Sequence, residues 1–107
     1  EAIKTLNQLA TLTKRIPVLV FGQMNELGEF EKSEHQKIGN LIKKLNIKHV
    51  ITRGPATKGM GIYCENNQEV FENMQSYLNS KHIILMKSSR GWKMEEIIDN
   101  FQKFIWL

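Results

Sequence analysis

Among 107 residues there is one cysteine, there are two prolines, and no apolar run is long. A single thiol, Cys64, excludes an intramolecular disulfide framework and fits a reducing, cytoplasmic setting. The longest apolar run, Ile16 to Phe21, falls far short of the ~20 residues that a membrane-crossing helix needs. No basic-then-apolar signal segment opens the chain, so no membrane partner is expected. The basic excess is small: 15 Lys and Arg against 11 Asp and Glu leave +4. Without a Lys/Arg run or an aromatic series beside one, that excess does not point to nucleic acid. No G-x-x-x-x-G-K-[ST] occurs, so Gly54-Pro55-Ala56-Thr57-Lys58-Gly59 is not a nucleotide-binding P-loop, and no G-x-G-x-x-G follows the first apolar run. His35, His49 and His82 lie far apart in sequence without metal-ligand spacing, so they read as structural or exposed and no metal site is expected.

What is present suits one globular domain over residues 1–107, with 41% hydrophobic and 24% charged residues. A chain of this size buries roughly 65% of its unfolded surface, enough for one core. Ile3, Leu6, Leu9, Ala10 and Leu12 give Ala2–Leu12 a helical stripe. Ile16–Phe21 is β-branched and continuously apolar, the pattern of a strand buried on both faces, with Pro17 at its start where a missing N–H is harmless. Helical period returns over Phe30–Leu45, through Phe30, Ile38, Leu41, Ile42 and Leu45. Lys48–Thr52, Ile62–Cys64 and His82–Met86 read as further strands, Asn67–Leu78 as a helix, and Met94, Ile97, Ile98, Phe101 and Ile105 mark a final helix. Strands alternating with helices imply βαβ units, hence an α/β fold: a three-layer Rossmann-like domain with a mainly parallel sheet. The chain begins at Glu1, directly in a helical pattern and without an initiator Met, which suggests a piece cut from something longer.

In an open parallel sheet, ligands bind beyond the carboxyl ends of the strands. Gly22–Gly28, Arg53–Gly59 and Lys87–Gly91 leave strands at that edge and bring Arg53, Lys58, Lys87 and Arg90, so the edge is expected to be cationic. Lys87-Ser88-Ser89-Arg90 runs from a strand into a helix start, where free N–H groups, hydroxyls and a guanidinium suit a carboxylate or phosphate. The alternative is that a serine simply caps the helix and Arg90 is solvated. In the first loop Glu26 is either a functional carboxylate or a polar turn residue, and Met24 and Leu27 look like anchors to the core.

Taken together, two loops resemble a known family. Lys87-Ser88-Ser89-Arg90-Gly91-Trp92-Lys93-Met94-Glu95 is similar to the K-G-S-R-x-x-x-M-E signature of the bacterial Mur ligases that add D-alanyl-D-alanine. Gly22-Gln23-Met24-Asn25-Glu26-Leu27-Gly28, followed by His35, resembles their G-D-M-x-E-L-G loop, and Glu1–Leu12 resembles the helix that opens their C-terminal domain. Two positions depart: Ser88 stands where the family has Gly, and Gln23 where it has Asp. The resemblance implies a Mur ligase C-terminal (glutamate-ligase-type) domain over residues 1–107, inactive alone. Its N-terminal and central partner domains lie outside the chain, and the central one holds most of the ATP and Mg2+ contacts. D-alanyl-D-alanine and UDP-N-acetylmuramoyl-tripeptide are the implied substrates, joined through an acyl phosphate in the cytoplasm. The implied substrate contacts are Lys87, Ser88, Ser89 and Arg90; the implied cofactor side is Gly22, Gln23, Met24 and Glu26; no catalytic residue is assigned. From the residues alone, a free-standing module binding a small anion or a protein partner, or a divergent paralogue, stays open.

Overall fold

The computed structural model describes residues 2–24, 31–88, 92–94 and 96–97. Its elements are α1 (Ala2–Thr13), β1 (Ile16–Gly22), α2 (Glu31–Lys44), β2 (His49–Arg53), β3 (Ile62–Cys64), α3 (Asn67–Met74) and β4 (His82–Lys87). One-turn 3-10 segments cover Pro55–Thr57 and Gln75–Tyr77. The four strands form one sheet in the order β3-β2-β1-β4, and every pairing is parallel.

β1 is the central strand, and its sequence explains why. Val18, Leu19, Val20 and Phe21 are fully buried, as a strand covered on both faces demands. Alternation then sorts side chains between two cores. Leu19 and Phe21 of β1, Val50 of β2, and half-buried Ile83 and Leu85 of β4 face Ile3 and Leu6 of α1 and Ile42 of α2. Val20, Ile51, Ile84 and Met86 face Val70 and Met74 of α3, with Met94 and Ile97 beyond β4. Helices therefore cover both faces, which is the three-layer α/β arrangement that the alternation of strands and helices predicts. Cys64 is buried in the second core, as a small core residue.

Three expectations change. Leu9 and Leu12 of α1 are 43% and 79% exposed while Ile3, Leu6 and Ala10 are buried. At ~100° per residue Leu12 lies on the side of the helix opposite Ile3, so the apolar stripe is narrower than its composition suggests. The expected helix over Asn67–Leu78 is α-helical only to Met74 and then tightens into the 3-10 turn Gln75–Tyr77. Of the expected final helix, Met94 and Ile97 are buried in the core, whereas Ile98, Phe101 and Ile105 lie outside the described residues.

Candidate site at the carboxyl edge of the sheet

The chain lays β1, β2 and β3 outward in one direction and then returns to place β4 on the other side of β1. The direction of winding switches between β1 and β4, and a parallel sheet opens a ligand crevice at such a point because consecutive connections leave toward opposite faces. Here the connection after β1 leads to α2 in one core, and the residues after β4 lead to Met94 and Ile97 in the other. Phe21 is in register with Lys87, so Gly22 and Ser88 step off the sheet side by side. A Cβ placed on Gly22 would sit 2.5 Å from the Ser88 Cβ and 2.7 Å from the Met94 Sδ. Only glycine lets the two loops approach this closely.

A hydrogen-bond network ties all three carboxyl-edge loops together. The Gln23 N–H donates to the Arg53 carbonyl at 2.8 Å, extending the β1–β2 ladder. The Gln23 Oε1 accepts from the Ala56 N–H at 2.7 Å, and the Gln23 carbonyl accepts from the Trp92 Nε1 at 2.6 Å. Arg53 Nη1 donates to the Asn67 Oδ1 at 2.6 Å and to the Trp92 carbonyl at 3.0 Å, with the guanidinium 4.9 Å from the Trp92 ring centroid. Asn67 Nδ2 donates to the same carbonyl at 2.8 Å. Gly54, at φ 105, is confined within this network: a Cβ there would meet Gln23 Cβ at 2.5 Å and Trp92 Cζ2 at 2.9 Å. Met24 packs on the first core as an anchor, and its N–H donates to the Nε2 of buried His35 at 3.0 Å.

The structure thus brings Gly22, Gln23, Met24, Lys87 and Ser88 to one edge. Glu26, Leu27, Ser89 and Arg90 lie outside the described residues. The cationic edge needs correction at Arg53: the residue is half-buried and its guanidinium turned inward, with Nη1 donating to both the Asn67 and Trp92 oxygens while the planar group lies against the indole. Lys58 Nζ lies 5.3 Å from the Tyr63 ring centroid. Asn67 and Trp92 were not foreseeable as partners, since Asn at a helix start reads only as a cap. His49 and His82, distant in sequence, open β2 and β4 on either side of β1; their ring centroids are 6.0 Å apart and both pack on Tyr77. Among the described residues no three His, Cys, Asp or Glu side chains gather to hold a metal ion. Among them, too, no helix is long and apolar enough to cross a membrane.

A sheet wound from its centre, with its crevice at the β1–β4 switch, defines a doubly wound α/β domain. That fold recurs in a crystal structure of MurF from Acinetobacter baumannii, with TM-score 0.67 and 21% identity over 94% of this chain and 25% of that one. In sequence, the UDP-N-acetylmuramoyl-tripeptide–D-alanyl-D-alanine ligase of Buchnera aphidicola subsp. Baizongia pistaciae is 33% identical over 94 residues, 80% of this chain and 20% of that protein. The ligase of the same name from subsp. Acyrthosiphon pisum is 32% identical over 111 residues, 96% of this chain and 24% of its own length. That of Bacillus subtilis is 28% identical over 93 residues, 76% and 20%. The chain belongs to the UDP-N-acetylmuramoyl-tripeptide–D-alanyl-D-alanine ligase family and matches the C-terminal part of its relatives. It spans about a fifth to a quarter of their length. No protein-family model matches it.

Proposed function

We propose that this chain is the C-terminal domain of an ATP-dependent amide-bond-forming ligase of peptidoglycan precursor synthesis. The reaction joins D-alanyl-D-alanine to UDP-N-acetylmuramoyl-tripeptide. The tripeptide carboxylate takes the γ-phosphoryl group of ATP and ADP leaves; the dipeptide amine then attacks the acyl carbon and phosphate leaves. ATP and Mg2+ are held mainly by a central domain outside this chain, and no step is assigned to a metal held here. In this reading Lys87, Ser88, Ser89 and Arg90 receive the dipeptide carboxylate, and Gly22, Gln23, Met24 and Glu26 face the nucleotide.

One observation carries the reading: the two sequence motifs of the family meet at the β1–β4 switch point, where Gly22 and Ser88 pack against each other. Gln23 suits a supporting role there, since its side-chain oxygen already accepts the Ala56 N–H. The test is an ADP-release assay on the full-length chain and on residues 1–107 alone. The full-length protein is expected to release ADP only when the tripeptide precursor and D-alanyl-D-alanine are both present, and the 107-residue chain to release none. Turnover by the short chain, or full-length turnover indifferent to the dipeptide, overturns the proposal.

A further inference from the structure

A second concavity lies away from the switch point, between α2 and the connection from β2 to β3. Its volume is about 660 Å³, within the ordinary range for binding sites. Among the described residues its charged lining is of one sign: Lys32 and Lys43 from α2 and Lys58 from the connection, with no described carboxylate beside them. Lys32, Gln36, Gly39 and Lys43 fall at i, i+4, i+7 and i+11, one face of the helix. Glu34 lies on the opposite face, ion-paired with Lys37 at 3.3 Å. The Lys58 ammonium over the Tyr63 ring sets the third cation across from the helix.

Gly39 is the informative residue. A mid-helix glycine is unfavourable relative to alanine and is normally explained by a close approach. Among the described residues there is no such approach: a Cβ on Gly39 would meet the Met60 Cγ at 3.9 Å, an ordinary contact. The missing side chain leaves the groove open rather than letting two elements touch. The surface below is apolar, from Ile42, Ala56 and Met60.

We infer that this groove is a docking site for an acidic, extended peptide segment. Lys32 and Lys43 are eleven positions apart on α2, about 16 Å along the axis at ~1.5 Å per residue. That length accommodates about five residues of extended chain at ~3.3 Å each. The ammonium groups pair with Asp and Glu side chains, and the Gln36 and Asn40 carboxamides each offer a donor and an acceptor to peptide groups. One apolar side chain of the segment lies over Gly39 against Met60 and Ile42. The site shares no lining residue with the contacts proposed for the ligase reaction, and it borders them, since Ala56 and His35 on its wall bond to Gln23 and Met24.

The probe is the capped pentapeptide acetyl-Glu-Asp-Leu-Asp-Glu-amide, titrated to millimolar concentration into the isotope-labelled chain and followed by amide chemical shifts. Shifts confined to residues 32–43 and 56–60 are expected, with affinity falling as salt rises. Lys43→Glu exchanges attraction for repulsion and should weaken binding about fivefold or more. Gly39→Leu should abolish it while the rest of the spectrum keeps its native dispersion. An absence of shifts, shifts elsewhere on the surface, or unchanged binding by both variants overturns the inference. Pyrophosphate that shifts the same amides at lower concentration than the peptide also overturns it, and assigns the groove to phosphate.

Discussion

At the scale of single residues, the buried polar groups divide by whether a partner reaches them. Thr57 is fully buried, and its hydroxyl donates to the Gly54 carbonyl at 2.7 Å. Burying a hydroxyl without such a bond costs roughly 1–3 kcal/mol. Cys64 is treated differently: its sulfur has long contacts, from Asn73 Nδ2 at 3.7 Å and to the Ile62 carbonyl at 3.9 Å. Burial pushes its thiol pKa up, and the Glu69 carboxylate adds to the rise, against a smaller opposing pull from Asn73. The folded chain thus holds the thiol proton more tightly than the unfolded chain. Its contribution to stability is complete below the ordinary value of 9.0 and is lost as pH climbs past it. Denaturant midpoints measured at rising pH should therefore fall more steeply for the native chain than for Cys64→Ala. Equal slopes would remove the thiol from the account. The same burial predicts slow labelling of Cys64 by thiol reagents at neutral pH.

At the scale of elements, α3 shows how a short helix is held. Asn66 is its N-cap, with an extended backbone and a side-chain oxygen accepting the Glu69 N–H at 2.9 Å. The Glu69 carboxylate accepts the N–H of Glu65, one residue before the cap, at 3.0 Å, so a second donor at the helix start is satisfied. Asn66→Ala should lower stability by about 1 kcal/mol in urea unfolding, because an eight-residue helix has little propensity of its own to fall back on. A loss below the error of the measurement would place the helix's stability entirely in Val70 and Met74. Elements of this kind were the legible part of the sequence. Period and β-branching located every described strand within a residue or two, most clearly β1, where burial on both faces leaves no polar position from Val18 to Phe21. What stayed hidden was set by partners distant in the chain: Arg53 on Trp92 and Asn67, His49 beside His82, Gln23 on Ala56. At the candidate site, motif spacing named Gly22, Gln23, Met24, Lys87 and Ser88, which the structure brings to one edge, and Glu26, Ser89 and Arg90, which lie outside the described residues. It did not show that Gln23 and Arg53 are occupied by their own neighbours. Leu9 and Leu12 share the apolar composition of α1 but sit at angles off the Ile3–Leu6–Ala10 stripe, which leaves them exposed.

At the scale of the whole molecule, the strand order β3-β2-β1-β4 makes β1 the axis on which everything else is hung. Its amides from Val18 to Phe21 should be the slowest to exchange with solvent deuterium, close to the global unfolding rate, and those of three-residue β3 among the fastest of the sheet. Faster exchange in β1 than in β3 would mean that the sheet opens from its middle. The same order has a consequence for synthesis. Ile16 pairs with His82, 82 − 16 = 66 positions later, whereas Val18 finds His49 after only 49 − 18 = 31. As the nascent chain leaves the ribosome, the most apolar strand acquires its β2 neighbour first and waits for β4 with one edge unsatisfied. During that interval it is a template for any other extended chain nearby. The placement that builds the ligand crevice also makes β4, the last of the described strands to be made, the one that satisfies this edge of β1.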